Sequence, residues 1–253
     1  MPGRVHLAIE NSLAQVTLSH AGKFNAMSRA MWRELKTVFE DLQARRELRC
    51  VIVAGEGGHF CAGGDIAEYP DFRFDEAALR DFHEGDVWGG LGAMLACDVP
   101  LLAQIEGNCM GAGVEIASCC DIRVAASGAR FGAPIAKLGF PMAPREAALV
   151  AREAGAAIAR EMLLEAAVFD AAEMKARGFL NTVLPDGTLT TAVLARAQRI
   201  CALSPQAARL NKQALRATRG ATTATDDTAY RYADSPEHHE GIAAFLAKRP
   251  AVF

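Results

Sequence analysis

Hydrophobic residues alternate with polar residues over the first twenty positions, which is the pattern of β-strands with one buried face. Two alternating sets are separated by turn-forming residues at 10–12. This period of two predicts a β-hairpin at the start of the chain. The apolar positions of the two strands are Val5, Leu7, Ile9, Ala14, Val16 and Leu18.

The apolar positions then change to the spacing of an amphipathic helix, predicted over residues 29–46 with Ser28 as its N-cap. Residues 50–54 are continuously apolar, which is typical of a buried strand. The order hairpin, helix, strand predicts an α/β protein with crossover connections. The apolar face of the helix consists of Met31, Leu35, Val38 and Leu42.

A similar unit follows in the middle of the chain, and the rest is mostly helical. The predicted parts of this unit are a strand at 101–105, a glycine-rich loop at 107–113, a buried helix at 114–119 and a strand at 122–125. Further helices are predicted near 144–164 and 188–203, and two more begin at the Ser-Pro pairs of Ser204 and Ser235. The pattern therefore indicates an α/β core followed by a helical region of about sixty residues.

The composition excludes several classes of protein. The 253 residues are 51% apolar and 23% charged, as in an ordinary globular protein, and the net charge is −3. No basic block is present, so we expect no nucleic-acid partner. The most apolar stretch, residues 101–126, carries four charged side chains, and the N-terminus has no signal-peptide pattern. We therefore expect no membrane span.

The seven cysteines are odd in number, have no CxxC spacing and lie mostly in apolar surroundings. This usage favours reduced core cysteines in a cytoplasmic protein over a disulfide framework. A zinc site is not expected, because the adjacent His238 and His239 have neither helical spacing nor a nearby thiol.

Two glycine-containing turns each stand between an apolar strand and a helix. Residues 59–66 read HFCAGGDI, and residues 107–115 read GNCMGAGVE. A turn that opens a helix leaves amide N–H groups free, and small residues let a ligand approach them. Two such amides aimed at one point form an oxyanion hole, which stabilises a developing negative oxygen. Either turn alone is better explained as tight packing.

Together, these turns resemble those of the crotonase family, the enoyl-CoA hydratase/isomerase superfamily. Residues 23–27 (KFNAM) are similar to its first CoA-contacting segment, and residues 60–66 are similar to its first oxyanion loop. Residues 107–115, with CDIR at 120–123, resemble its second oxyanion loop, and residues 240–249 resemble its C-terminal helix. Four motifs in the same order and spacing make the resemblance specific over nearly the whole chain.

The resemblance implies a fold, an assembly and a substrate. The fold is a right-handed spiral of ββα repeats over residues 1–190, followed by a C-terminal helical region at 191–253 that mediates trimers, usually paired into hexamers. The substrate is an acyl-CoA thioester bound in a bent shape, with no further cofactor. Its carbonyl oxygen lies between two backbone N–H groups, which motif position assigns to Gly64 and Ala112.

The same motif positions imply the contacts with CoA. Adenine and pantetheine contacts of the family fall on the first segment, here Lys23 and Ala26, and on residues around the first oxyanion loop. C-terminal positions that approach the nucleotide match Phe245 and Lys248. The residues around the loop are Ala62, Asp65 and Ile66.

Glu115 occupies the position of the family's first catalytic glutamate, three residues after Ala112. Removal of a proton next to the thioester, or addition of water, builds negative charge on the carbonyl oxygen, and a positioned carboxylate moves the proton. Burial raises the pKa of an unpaired carboxyl and suits it to this task. The alternative is a structural acid paired with Arg123 or Arg130, and the motif favours catalysis.

The chain departs from the hydratase pattern at Ile135, a substrate-contacting position where the family has its second catalytic glutamate. Hydration is helped by two carboxylates that hold one water, whereas a single carboxylate can move a proton between carbons, as in double-bond isomerisation. Glu146 could replace the missing acid, although its place in a first helical turn favours a helix-dipole role. Residues 81–90, which include His83, stand where the family lines its acyl pocket, but a solvated helix face explains their charges equally well.

Three functions remain open from the sequence. The favoured one is hydratase or isomerase chemistry on an acyl-CoA, with Glu115 as acid and base. The second is other chemistry in the same oxyanion hole, namely decarboxylation or thioester hydrolysis. The third is a CoA-ester-binding protein with little activity, which would not need Glu115.

Overall fold

The computed structural model describes residues 2–217 and 231–253, which fold into two β-sheets with helices packed against them. The strands are β1 (Arg4–Glu10), β2 (Leu13–Ser19), β3 (Cys50–Gly55), β4 (Leu101–Ile105), β5 (Asn108–Met110), β6 (Ile122–Ala126), β7 (Arg130–Gly132), β8 (Val168–Asp170) and β9 (Thr182–Leu184). The helices are α1 (Arg29–Ala44), α2 (Glu76–Asp81), α3 (Trp88–Ala96), α4 (Ala112–Cys119), α5 (Pro144–Ala154), α6 (Ala156–Leu164), α7 (Ala171–Ala176), α8 (Leu189–Cys201), α9 (Pro205–Ala217) and α10 (Pro236–Leu246).

The chain passes repeatedly from one sheet to the other. The larger sheet has the order β1-β2-β3-β4-β6-β9, and the smaller sheet has the order β5-β7-β8. In the larger sheet only β1 and β2 are antiparallel. A strand of the large sheet, a short strand of the small sheet and a helix follow one another in β4-β5-α4, which is a ββα repeat. The predicted α/β spiral is therefore confirmed.

The hairpin and the first helix form where the sequence predicts them. In the hairpin, Leu7 pairs with Val16 across the two strands. Ser28 caps α1, because its side-chain oxygen accepts a hydrogen bond from the N–H of Met31. Three positions of the predicted apolar face are fully buried, whereas Val38 is only partly buried. The buried residues of α1 are Met31, Trp32, Leu35, Phe39 and Leu42.

Two predicted elements are divided differently in the structure. The helix predicted over 144–164 is two helices, because Gly155 has a φ of 91° and ends α5. The glycine-rich loop at 107–113 contains the short strand β5, which pairs with β7, and α4 begins at Ala112 rather than at residue 114. The second difference comes from pairing with a distant part of the chain, whereas the first comes from the backbone conformation of Gly155.

The C-terminal helical region begins on the large sheet. Leu189, Val193 and Ala197 of α8 are buried against a second, smaller core on that sheet, so the predicted boundary between residues 190 and 191 falls inside this helix. Glu237 joins α10 to α9, because its carboxylate accepts hydrogen bonds from Ser204 and from the N–H of Gln206. Residues 218–230 of this region lie outside the described residues.

Within the described ranges, no helix is long and apolar enough to cross a membrane. The same part of the chain holds no group of three or more His, Cys, Asp or Glu side chains with the geometry of a metal site. All seven cysteines are free thiols, and six of them are buried.

Candidate active site

The two glycine turns lie against each other. The N–H of Cys61 donates to the carbonyl of Asn108 at 2.8 Å, and the N–H of Met110 donates to the carbonyl of Cys61 at 2.8 Å. These bonds form a parallel bridge between Cys61 and Cys109. Only glycine fits at Gly113, since a Cβ there would lie 2.6 Å from the Cys61 carbonyl oxygen. Backbone contacts therefore hold the two turns in one place.

The segment at 23–27 is attached to the first turn. Asn25 adopts a positive φ of 62°, and its side-chain amide donates to the carbonyl of His59 at 2.7 Å. The N–H of Ala62 donates to the carbonyl of Phe24 at 3.0 Å. The structure thus brings together three segments that the sequence singled out separately.

A pocket opens where the two turns meet, and Gly64, Ala112 and Glu115 all line it. Within the described residues, the amide N–H groups of Gly64 and Ala112 donate no hydrogen bond. Ala112 opens α4, and the first amides of a helix have no partner inside the helix. Both donors are therefore available to an oxygen atom in the pocket. Much of the remaining lining is apolar: Trp32, Ile66, Phe82, Val87, Ile135, Leu138, Phe140 and Met142.

Among the described residues, Glu115 is the one carboxylate that lines this pocket, and only 8% of the residue is exposed. No other described side chain forms a hydrogen bond or ion pair with it. Arg123, one alternative partner, donates to the carbonyl of Phe179 at 2.6 Å and pairs with Glu153 at 3.6 Å. Arg130, the other one, is exposed. Glu115 is therefore not the arginine-paired structural acid that the sequence left open.

Burial raises the pKa of Glu115 to about 8, and the negative charge of Glu146 adds to the shift. A carboxyl group in this range can both take and release a proton near neutral pH. Glu115 lies three residues after Ala112 in α4, and residues at this spacing share one face of a helix. An oxygen held by the Ala112 amide therefore brings its neighbouring carbon toward the Glu115 carboxylate.

This raised pKa predicts the pH dependence of proton removal. Only the ionised form of Glu115 accepts a proton, so kcat/KM for exchange of the proton next to the thioester should rise with pH and level off above about 8. Exchange with deuterated solvent across pH 6 to 10 (about two units on either side) measures this profile. A profile that is flat across the range, or that falls with rising pH, would contradict Glu115 as the base.

A second buried acid, Glu146, lies close to Glu115. The residue is 2% exposed, and its carboxylate lies 3.2 Å from Nδ1 of His83, which itself lines the pocket. His83 belongs to a π-helical turn, Phe82–Val87, between α2 and α3. The sequence favoured a helix-dipole role for Glu146. The structure confirms its place in the first turn of α5, but adds a buried contact across 63 residues.

The other residues of the 81–90 segment do not share this role. Asp86 is buried and forms ion pairs with Arg29 at 2.7 Å and Arg33 at 2.6 Å. Glu84 is half-exposed and pairs with Arg145 at 2.7 Å. The segment is therefore neither a solvated helix face nor a row of pocket residues. His83 lines the pocket, Asp86 is buried in ion pairs, and Glu84 pairs with an arginine at the surface.

The expected CoA-contacting residues differ in their position relative to the pocket. Ala62 and Ile66 line the pocket, and Lys23 and Asp65 stand beside it as an ion pair at 2.6 Å. Phe245 and Lys248, at the end of α10, are exposed and do not line the pocket of this chain. Ala26 is buried in the attached segment. The roles of these residues in CoA binding stay predictions.

The cysteines beside the site are buried. Burial raises the pKa of Cys61 to about 12 and raises the pKa of Cys109 well above its ordinary value. Both side chains remain protonated thiols, which are poor nucleophiles. Thiol chemistry therefore has no basis at this site.

Two further pocket residues, Tyr69 and Arg73, were not predicted from the sequence. A Cβ at Gly64 would overlap the hydroxyl of Tyr69, so this phenol lies directly against the first glycine turn. Burial raises the pKa of Tyr69 to about 12, and the hydroxyl stays protonated. Arg73 lies over the rings of Tyr69 and Phe140. Neither residue belongs to a motif, and no local pattern marks them.

Two open amide donors beside a buried acid of raised pKa, in an apolar pocket, are the arrangement expected of a site that moves protons next to a carbonyl group. Comparison with known proteins gives the family. The enoyl-CoA hydratase/isomerase family model matches residues 8–253. The chain belongs to this family, and it is an acyl-CoA-processing enzyme of the hydratase/isomerase type.

Individual relatives are similar in sequence over most of the chain. The crystal structure of an enoyl-CoA hydratase/carnithine racemase from Magnetospirillum magneticum is 37% identical, with a TM-score of 0.93, over 98% of this chain and 94% of that one. Crotonyl-CoA hydratase of Syntrophomonas wolfei is 31% identical over 96% of this chain and 95% of its own length. Short-chain-enoyl-CoA hydratase of Clostridium acetobutylicum is 30% identical over 83% of this chain and 80% of its own length.

Proposed function

We propose that Glu115 moves a proton between carbons of an enoyl-CoA, so that the double bond changes position. The carboxylate takes a proton from C2 of a 3-enoyl-CoA, and the electrons move onto the thioester oxygen between the Gly64 and Ala112 amides. The protonated carboxyl group, whose proton can exchange with solvent, then gives a proton to C4, which leaves a 2-enoyl-CoA. The unpaired, buried Glu115 carries this proposal, together with Ile135 in place of a second carboxylate.

The test supplies 3-enoyl-CoA and follows 2-enoyl-CoA by chromatography and mass spectrometry, in water and in deuterated water. Isomerisation gives a product of unchanged mass in water and deuterium at C2 or C4 in deuterated water. Release of CO2 or of free CoA would support the decarboxylase or hydrolase alternative instead. Binding of the ester without any exchange would support the binding protein.

Hydration of 2-enoyl-CoA is a second candidate, and the contact between His83 and Glu146 favours it. A carboxylate beside Nδ1 fixes the tautomer with the proton on Nδ1, which leaves Nε2 as an acceptor. Among the described residues, Nε2 has no hydrogen-bond partner. In this reaction Nε2 takes a proton from water that adds at C3, and protonated Glu115 supplies the proton to C2.

Glu146→Gln separates the two reactions. Loss of the carboxylate frees the His83 tautomer, so hydration should fall by about 10²-fold or more, as is typical for a general base. Isomerisation should keep most of its rate, because it needs only Glu115. Glu84→Gln is the matched control, since Glu84 lies next to His83 but pairs with Arg145 at the surface. Equal losses of both reactions in Glu146→Gln would refute a separate role in hydration.

We also propose that CoA binds across Lys23, Ala26, Ala62, Asp65 and Ile66. Phe245 and Lys248 would complete this site from the end of the C-terminal helix, and because they do not line the pocket of their own chain, we propose that they contact a neighbouring subunit's nucleotide. Lys23→Ala should weaken binding of CoA itself, measured by calorimetry. Unchanged affinity would remove Lys23 from the site.

A trimer, or a hexamer of two trimers, in the cytoplasm completes the proposal. The C-terminal helices leave several large apolar side chains exposed, which suits a subunit interface. Free cysteines suit a reducing compartment. Light scattering after gel filtration gives the assembly, and a monomer at working concentration would contradict it. The exposed residues are Leu215, Ile242, Phe245 and Leu246, and Val252 beyond the last helix is exposed as well.

A further inference from the structure

Arg73 stands in the wall between the Glu115 pocket and an adjacent apolar hollow. It lines both, together with Tyr69 and Phe140. Its guanidinium carbon lies 3.6 Å from the ring centroid of Phe140 and 4.5 Å from that of Tyr69. The cation is therefore in contact with two aromatic rings on the acyl side of the site.

No acidic group of the described chain neutralises this cation. Other arginines nearby have carboxylate partners, such as Arg29 with Asp86 and Arg145 with Glu84. For Arg73 the described residues supply neither a carboxylate nor a carbonyl within hydrogen-bond distance. Burial lowers the pKa of Arg73, and only Tyr69 acts against this shift. The guanidinium nevertheless remains charged, as arginine does throughout proteins.

A partly buried cation without a counter-ion is unfavourable unless something else supplies the charge. Stacking uses the faces of the guanidinium plane, and the N–H groups point outward along its edge. Two parallel N–H groups on that edge match the two oxygens of a carboxylate. The side chain is thus prepared to receive an anion that enters the pocket from solution.

We propose that Arg73 binds a carboxylate at the far end of the acyl chain, and that the preferred substrates are CoA thioesters of dicarboxylic acids. This inference rests on the proposed function in one respect: the acyl chain must lie in the Glu115 pocket. It adds a specificity-determining residue, because an uncharged acyl chain leaves the cation unpaired and a dicarboxylic one neutralises it.

Binding by calorimetry tests this preference without any chemical step. The probes are hexanoyl-CoA and adipyl-CoA, which have the same chain length and differ in the terminal carboxylate. A longer pair, octanoyl-CoA and suberyl-CoA, tests the case in which the bound carboxylate lies farther from the thioester. We expect the wild type to bind at least one dicarboxylic ester roughly 10-fold or more tightly than its partner, as for a charge-assisted bidentate contact. Equal affinities within both pairs would overturn the proposal.

Variants then assign the preference to this residue. Arg73→Met keeps apolar contact with the rings and should lose the preference, while Arg73→Lys keeps the charge and should retain part of it. Arg80→Met is the matched control, because Arg80 is exposed and pairs with Glu76. If Arg73→Met weakened both esters equally, the cation would serve the CoA phosphates or the ring stack, and the proposal would fail.

The anion site and the proton-transfer function can fail independently, and the measurements distinguish the two failures. If the dicarboxylic preference is present but no ester exchanges its C2 proton, the anion site stands and the proton-transfer function falls. If exchange occurs with equal affinity for both esters, the function stands and the anion site falls. Thermal unfolding of each variant shows whether the fold is intact, and the wild-type comparison needs no variant at all.

Discussion

Glu115→Gln should lower isomerisation and C2-proton exchange by about 10²- to 10⁴-fold, which is the usual contribution of a general acid–base group. Glutamine fills the same buried space but cannot accept the proton, and the Gly64 and Ala112 amides remain in place. The substrate should therefore still bind, so kcat should fall much more than affinity. Steady-state kinetics with 3-enoyl-CoA, together with calorimetric binding, separates these two quantities.

Stability provides the control for this variant. The pKa of Glu115 is raised by burial, so its contribution to stability is present below the ordinary carboxyl pKa and is lost as pH rises through about 8. Glutamine has no such loss, and Glu115→Gln should unfold at the same or a higher temperature than the wild type at pH 9 (about one unit above that pKa).

Glu161→Gln, which breaks only a half-exposed pair with Arg177, should leave activity unchanged. Full activity of Glu115→Gln would refute the acid–base role.

Ala112→Pro should lower kcat by about 10²- to 10³-fold, as the loss of one oxyanion donor does in acyl-transfer enzymes. Proline has no N–H, so this substitution deletes the donor itself. The fold should tolerate it, because Ala112 is the first residue of α4 and proline is favoured at that position. Gly111 before it has a φ of 47° and a ψ of −109°, a conformation open to glycine.

Two measurements show whether the effect of Ala112→Pro comes from the lost N–H group. Thermal unfolding should stay close to that of the wild type, which separates loss of the donor from loss of the fold. Ala112→Gly keeps the N–H and should retain most of the activity, so it serves as the matched control. A correctly folded Ala112→Pro with near wild-type kcat would exclude the Ala112 amide from the oxyanion hole.

Much of the secondary structure was predictable because its causes are local. The alternation around Val16 gives the hairpin, and Ser28 sets the start of α1 through a hydrogen bond three residues away. The break at Gly155 was missed, since glycine is tolerated in a helix and only its φ of 91° ends α5. Strand β5 was also missed, because three residues become a strand only when β7 pairs with them.

In the candidate site, too, the local features were predictable and the contacts between distant residues were not. The segments with Gly64, Ala112 and Glu115 could be named in advance, since each combines small residues with the start of a helix. Whether Glu115 has a partner could not be read from the sequence. Arg123 is only eight residues away, but its guanidinium donates to the carbonyl of Phe179 from a distant loop. Pairing of buried charges depends on packing, and packing joins residues far apart in the chain.

By itself, the sequence determined the α/β class, the two glycine turns, the position of Glu115 and the absence of a second glutamate at Ile135. The tertiary structure decided that the turns meet at one pocket, that Glu115 has no ion-pair partner there among the described residues, and that His83 and Glu146 come together across 63 residues. It also decided that Arg73 lines the Glu115 pocket with no carboxylate of the described residues paired to it. Hydrophobic periodicity and turn chemistry act between near neighbours, whereas burial and charge pairing exist only after the chain has folded.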